Sequence, residues 1–157
     1  MEGMIGYLKE KKKTISTMES ATGGYLASSI TNVSGSSLVF QYGAVTYSNE
    51  YKIKMGVAED ILSKYSVYSM ECANAMSKAI VNFTNSDYGV GVTGKINDSD
   101  PANLFGDDST IYISIYDREN DRFYTKVVKA KKSSRVKNKE LIKEEFLKLF
   151  KENIIKE

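Results

Sequence analysis

Thr14-Ile15-Ser16-Thr17-Met18-Glu19-Ser20-Ala21-Thr22-Gly23-Gly24-Tyr25-Leu26 decides the fold. Thr14 to Thr17 reads as a strand, and Tyr25, Leu26, Ser29 and Ile30 recur at helical spacing, so a strand enters a helix through an acid, a serine, a threonine and two glycines. Paired glycines mark either a tight turn with close backbone packing or a backbone held against a small anion or carbonyl. The serine on that turn, followed by the N–H groups of Ala21, Thr22 and Gly23 at a helix start, suits an oxyanion or phosphate.

Working outward, Glu2 to Lys12 reads as a short helix before the strand. After the second helix, Asn32 to Ser37 supplies stop signals, and Leu38 to Tyr47, rich in strand formers, is expected as a second strand. Glu50 to Met55 and Ala58 to Tyr65 read as short helices. Ser69 is a candidate N-cap for a longer helix with Ala73, Met76, Ile80 and Phe83 as its core stripe. Asp87 to Thr93 reads as a third strand, then an irregular loop runs from Lys95 through Asp108. Thr110 to Tyr116 and Arg122 to Ala130 form an expected hairpin, and from Asn138 a helix carries Leu141, Ile142, Phe146, Leu149, Phe150 and Ile154 on one stripe. Alternating strands and helices, then a hairpin and a helix, predict an α/β fold: one three-layer α/β/α domain over residues 1–157 with a mixed, mostly parallel sheet.

The chain has 157 residues, enough for one core that buries about 70% of the unfolded surface. Its 22 basic and 20 acidic residues leave a net charge of +2, so no global charge points to nucleic acid or an anionic membrane. Cys72 is the single cysteine, which excludes an intramolecular disulfide and fits a reducing compartment. The first residues lack the continuous apolar run of a secretory signal, and no segment has the length of a membrane span. A cytoplasmic location is expected. Histidine is absent, which removes Ser-His-acid triads, Cys-His dyads and imidazole metal sites. Any catalytic base must be a lysine, a carboxylate, a tyrosine or a terminus.

In open α/β sheets, sites form beyond the carboxyl ends of strands. Three segments fit: Glu19 to Gly24, Tyr47 to Lys52, and Thr93 onward. If Ser48 or Asn49 caps a helix, Lys52 falls in its first turn, an unfavourable place for a cation. The dipole contributes only about 0.3 to 1 kcal/mol, whereas lowering a lysine from about 10.4 to about 7 or 8 takes roughly 4 kcal/mol. Desolvation must supply most of it. Lys52 is therefore a neutral base only if its amine is buried near Ser20.

Glu19-Ser20-Ala21-Thr22-Gly23-Gly24, Gly35-Ser36-Ser37, Tyr47-Ser48-Asn49-Glu50-Tyr51-Lys52 and Thr93-Gly94, in that order and spacing, resemble the C-terminal domain of the competence-damage protein CinA, from about Thr14 to Phe150. Stand-alone members of that family include nicotinamide-nucleotide amidases. The resemblance implies an α/β/α domain that hydrolyses the carboxamide of nicotinamide mononucleotide, or a related small amide, with Ser20 as nucleophile and Lys52 as base and without a cofactor. Glu19, Ala21, Thr22, Gly23, Gly24, Tyr47, Ser48, Thr93 and Gly94 are the expected substrate-binding positions. Glu19 has two open roles, orienting Lys52 or supporting the helix start; Tyr47 and Ser48 relay a proton, line the pocket or, for Tyr47, pack in the core. Ala21 stands where a cysteine is often found. Where active relatives continue with an Ala-Gly-Pro-Gly-Gly-like loop, this chain has Lys95-Ile96-Asn97-Asp98-Ser99-Asp100-Pro101, a bulkier and more acidic wall. The competing reading is a non-catalytic ligand-binding or protein-interaction module.

Other signals carry less. Ser134-Arg135-Val136-Lys137 has the Ser-x-x-Lys spacing of penicillin-recognising enzymes but none of the companion motifs. The basic run Lys129 to Lys139 lacks interleaved aromatics and reads as a solvated linker and helix entry. Asp98, Asp100, Asp107 and Asp108 lack the spacing of a calcium loop, and no metal is expected. The expected partner is a small nucleotide or amide substrate, not a membrane or nucleic acid; a homodimer is left open.

Overall fold

The computed structural model describes residues 1–102, 104 and 106–156. The first helix, α1 (Glu2–Lys11), turns into β1 (Ile15–Glu19) through a left-handed Lys12. Next come α2 (Tyr25–Thr31), a 3₁₀ turn (Ser36–Leu38), β2 (Gly43–Val45), α3 (Asn49–Lys54), α4 (Glu59–Tyr65) and α5 (Met70–Thr84). The chain continues with β3 (Tyr88–Gly94), β4 (Thr110–Asp117), β5 (Arg122–Lys129) and α6 (Arg135–Phe150), which runs into a single π turn (Lys151–Ile155).

The strands form one sheet in the order β2-β1-β3-β4-β5. β1 pairs in parallel with β2 and β3, while β4 is antiparallel to both β3 and β5. The sheet is mixed as expected: four strands run one way, β4 runs against them, and the pairings divide evenly between the two types. Ile15, Val90, Val92, Ile111, Ile113 and Ile115 bury one face against Ile5 and Leu8 of α1, Leu26 and Ile30 of α2, and Ile142, Phe146 and Phe150 of α6. Met18 and Ala44 bury the other face against Val57, Val67 and the α5 residues Cys72, Met76, Ala79 and Ile80. These are the three layers. Among the described residues no helix is long and apolar enough to cross a membrane.

Two glycines set how close α5 sits. A Cβ on Gly89 would meet the Ser77 carbonyl at 2.2 Å, and one on Gly91 the Ala73 carbonyl at 2.3 Å, so the helix backbone lies directly on β3. That approach carries the N-terminal turn of α5 to the end of the sheet where β1 and β3 finish.

Two expectations change. The second strand covers only Gly43–Val45, not Leu38 to Tyr47, because Val39 and Phe40 N–H both donate to the Ser36 carbonyl and hold the preceding segment in a turn. Phe83 leaves the α5 stripe: it is 61% exposed and lies against Tyr42, with ring centroids 5.2 Å apart.

Candidate functional site

Beyond Glu19, the last residue of β1, the chain stays bound to its neighbours for one more step: Ser20 N–H donates to the Val92 carbonyl at 3.0 Å and Thr46 N–H to the Glu19 carbonyl at 2.9 Å. Gly23 and Gly24 then take φ of 59° and 97°, two successive left-handed residues that side chains resist. The turn rotates the chain so that α2 starts only at Tyr25.

The start of α2 is occupied from within. The Glu19 carboxylate, 1% exposed, accepts Leu26 N–H at 2.8 Å, Ala27 N–H at 3.0 Å and the Thr22 hydroxyl at 2.6 Å. Of the two roles open to Glu19, these bonds match helix support; none of them goes to Lys52. The Glu19 carboxylate thus takes the N–H groups of Leu26 and Ala27, whereas the N–H groups expected to face an anion, those of Ala21, Thr22 and Gly23, do not bond to it. Gly23 N–H is also engaged, by the Ser20 carbonyl at 3.0 Å. Among the described residues, Ala21 and Thr22 N–H donate to no backbone carbonyl.

Lys52 reaches the same point from α3. Ser48 caps that helix, its hydroxyl accepting Tyr51 N–H at 3.4 Å, and Lys52 one turn later aims inward. Its amine lies 3.1 Å from Ser20 Oγ and donates to the Thr46 carbonyl at 2.7 Å, and the residue is 1% exposed. Burial pushes the amine down to about 8, with the nearby Cys72 thiol acting weakly the other way; burial pushes that thiol up to about 11. An ammonium has three protons to place, and this pocket offers two protein acceptors. The neutral form places one N–H on the Thr46 carbonyl and offers its lone pair to the Ser20 hydroxyl, the arrangement a base needs, and it becomes the main form as pH rises past about 8.

Ser20 and Lys52 open onto a cavity of about 510 Å³. Ala21, Tyr47, Ser48 and Gly94 line it as expected from the sequence. Glu19, Thr22, Gly23, Gly24 and Thr93 do not; Thr93 is buried and its hydroxyl donates to the Val67 carbonyl at 2.8 Å. Tyr47 is 66% exposed, so it stands at the mouth rather than in the core.

Sequence reading named none of Asn49, Val67, Tyr68 and Arg135 as parts of the cavity, and it gave Lys95 no role beyond the loop. Tyr68 donates its phenol proton to Asp100, and burial followed by that bond pushes the phenol above its usual range. Arg135, in the first turn of α6, donates to the Ile96 carbonyl at 3.2 Å and lies 3.8 Å from Asp98, tying the loop to the helix. Only the cap signal of Ser134, whose hydroxyl accepts Lys137 N–H at 3.1 Å, could have put Arg135 at a helix start; the Ser-x-x-Lys spacing is that cap.

The family model of the CinA C-terminal domain matches residues 1–154. A CinA-like protein of Endomicrobium trichonymphae is 46% identical over 88 residues, 55% of this chain and 21% of the relative. A CinA-like protein of Thermotoga maritima is 38% identical over 122 residues, 76% of this chain and 29% of the relative. The match thus covers less than a third of the length of these curated relatives. Among solved structures, the competence damage-inducible protein A from Klebsiella pneumoniae superposes with a TM-score of 0.88 at 20% identity, over 98% of this chain and 94% of that one. The competence/damage inducible protein from Agrobacterium tumefaciens gives 0.81 at 23% identity, over 94% and 92%. These superpositions show the fold.

Proposed function

The chain belongs to the CinA C-terminal domain family, and from that premise and the buried Ser20–Lys52 pair we propose that it is a serine-lysine amidohydrolase acting on nicotinamide mononucleotide or a related small amide. The observation that carries the reading is a lysine amine 3.1 Å from a serine hydroxyl, in a residue 1% exposed and with its proton affinity lowered to about 8. A base poised near the working pH is what activation of a serine requires.

Neutral Lys52 takes the proton of Ser20 as Oγ bonds to the amide carbon, and the carbonyl oxygen becomes an oxyanion. Ala21 N–H, at the cavity wall, is the donor left to meet it; Gly23 N–H is excluded by its bond to the Ser20 carbonyl. Lys52 ammonium returns the proton to the leaving nitrogen as the C–N bond breaks, and ammonia departs. A water, deprotonated by the regenerated amine, attacks the acyl ester; Ser20 leaves with the proton and the product is the carboxylic acid. The Thr46 carbonyl holds the amine in place through both halves of the cycle.

The test is ammonia release from nicotinamide mononucleotide by purified protein, compared with Ser20→Ala and Lys52→Met. Turnover that disappears in both variants while folding persists is expected. Absence of turnover by the wild type across a panel of small amides refutes the reading.

A further inference from the structure

The wall of the cavity that Ser20 opens onto also carries a largely enclosed cation, Lys95. Gly94 ends β3 at φ 152°, where a Cβ would stand 2.5 Å from the Thr110 carbonyl; Lys95 N–H then donates to that carbonyl at 3.1 Å. This anchoring fixes Lys95 beside the cavity. Its side chain is 3% exposed, and its ammonium lies 3.5 Å from a carboxylate oxygen of Asp108, itself 56% exposed. Tyr68 covers it, with the ring centroid 4.8 Å away. Among the described residues the ammonium donates no hydrogen bond. A buried charge held by one loose ion pair and a ring face still has donors to satisfy.

The other charges around the cavity are matched to each other. Asp98 faces Arg135 at 3.8 Å, and Asp100 accepts the Tyr68 phenol. Lys52 is committed to Ser20 and the Thr46 carbonyl. Arg135 is 46% exposed and has solvent for its remaining donors, so among the described residues Lys95 is the enclosed cation of the cavity with bonding capacity to spare.

We propose that Lys95 is a specificity-determining residue that binds an anionic group, phosphate or carboxylate, carried by the amide substrate. The proposal rests on the amidase reading for the reaction but not for the binding. It follows that the loop after Gly94, although bulkier and more acidic than a glycine-rich one, selects for an anion through its first residue.

Calorimetric binding to Ser20→Ala, which holds the cavity without turning substrate over, tests it. The probes are nicotinamide mononucleotide, its dephosphorylated riboside, and glutaramic acid as a carboxylate-bearing amide. At least one anionic probe should bind more tightly than the riboside. Adding Lys95→Met should weaken that probe roughly 10- to 100-fold, the range of a charge-assisted hydrogen bond, and leave the riboside unchanged. Adding Asp108→Asn, outside the cavity lining, should strengthen it roughly two- to fivefold by removing the competing carboxylate. The anionic probe that responds tells phosphate from carboxylate. Equal weakening of the anionic probes and the riboside by Lys95→Met, or no weakening of any, overturns the proposal. If Lys95→Met does not fold, absence of a gain in Asp108→Asn overturns it. Lack of ammonia release by the wild type, with these preferences intact, would refute the amidase and leave the anion site standing.

Discussion

Replacing Lys52 with methionine should abolish turnover and make the fold more stable at neutral pH. Burial lowers the amine from 10.5 to about 8. Between those values the unfolded chain binds the proton and the folded chain does not, so stability rises with pH across that window. Below about 8 both states bind it, and the full penalty for a buried ammonium, about 3 kcal/mol, is present. Methionine keeps the length of the stem and removes the charge, while the Thr46 carbonyl loses its donor at a cost of about 1 kcal/mol. The net gain at pH 7 is then about 2 kcal/mol. Cys72 limits where the effect can be read. Its thiol is raised from 9.0 to about 11, so above pH 9 the unfolded chain releases that proton first and stability falls. The clean interval is pH 7 to 9. Across it the wild type should gain about 1.4 kcal/mol relative to Lys52→Met, measured by urea unfolding at pH 7, 8 and 9. Parallel stability profiles would refute the reasoning, because they would mean that Lys52 does not lose its proton early in the folded protein and so is no base.

Three further outcomes follow from the same coordinates. The kcat/KM for nicotinamide mononucleotide should rise about tenfold per pH unit below about 8 and level off above it, as Lys52 becomes neutral; a flat profile from pH 6 to 9 contradicts this. Ser66, at φ 75° and ψ 157°, occupies a region that is essentially glycine's, a strain of about 1 to 3 kcal/mol. Because its hydroxyl also accepts Tyr68 N–H at 3.2 Å, Ser66→Gly should give a net stabilisation of about 1 kcal/mol, visible as a higher Tm. Glu19→Ala, which strands two N–H groups and a hydroxyl in the interior, should destabilise by about 3 kcal/mol or more in urea unfolding, and a loss below 1 kcal/mol would contradict its place as the anchor of α2.

What the sequence made legible was local. Strand entry at Thr14, the glycine turn and the Ser48 and Ser69 caps each depend on a few neighbouring residues, and the structure has them where the pattern puts them. The second strand was overextended because Phe40 and Tyr42 have strand propensity, while the 3₁₀ turn before them consumes the backbone groups that pairing needs. Phe83 has a helical phase that suits the core, but it stands one residue from the end of α5 and lies exposed against Tyr42. The cavity wall was the least legible part. Tyr68, Lys95 and Arg135 come from three elements that meet only after β3 and α6 are in place, so no spacing in the chain announces them.

Lys52 shows where the two kinds of information join. Its place four residues after a helix cap was readable, although the short α3 puts it in the last turn rather than the first, and why it points inward needed the desolvation that dominates its shift, which is tertiary. Val57, Val67, Cys72 and Met76 supply the apolar surroundings on that side of the sheet, and α5 can bring the last two there only because Gly89 and Gly91 let it lie on β3. The basicity of one amine at the end of β1 thus depends on two glycines in the neighbouring strand. A Cβ at Gly91 would have to displace the Ala73 carbonyl, moving the turn that carries Cys72; such a shift admits water, returns Lys52 toward its ordinary value and moves the rise of any pH-rate profile upward.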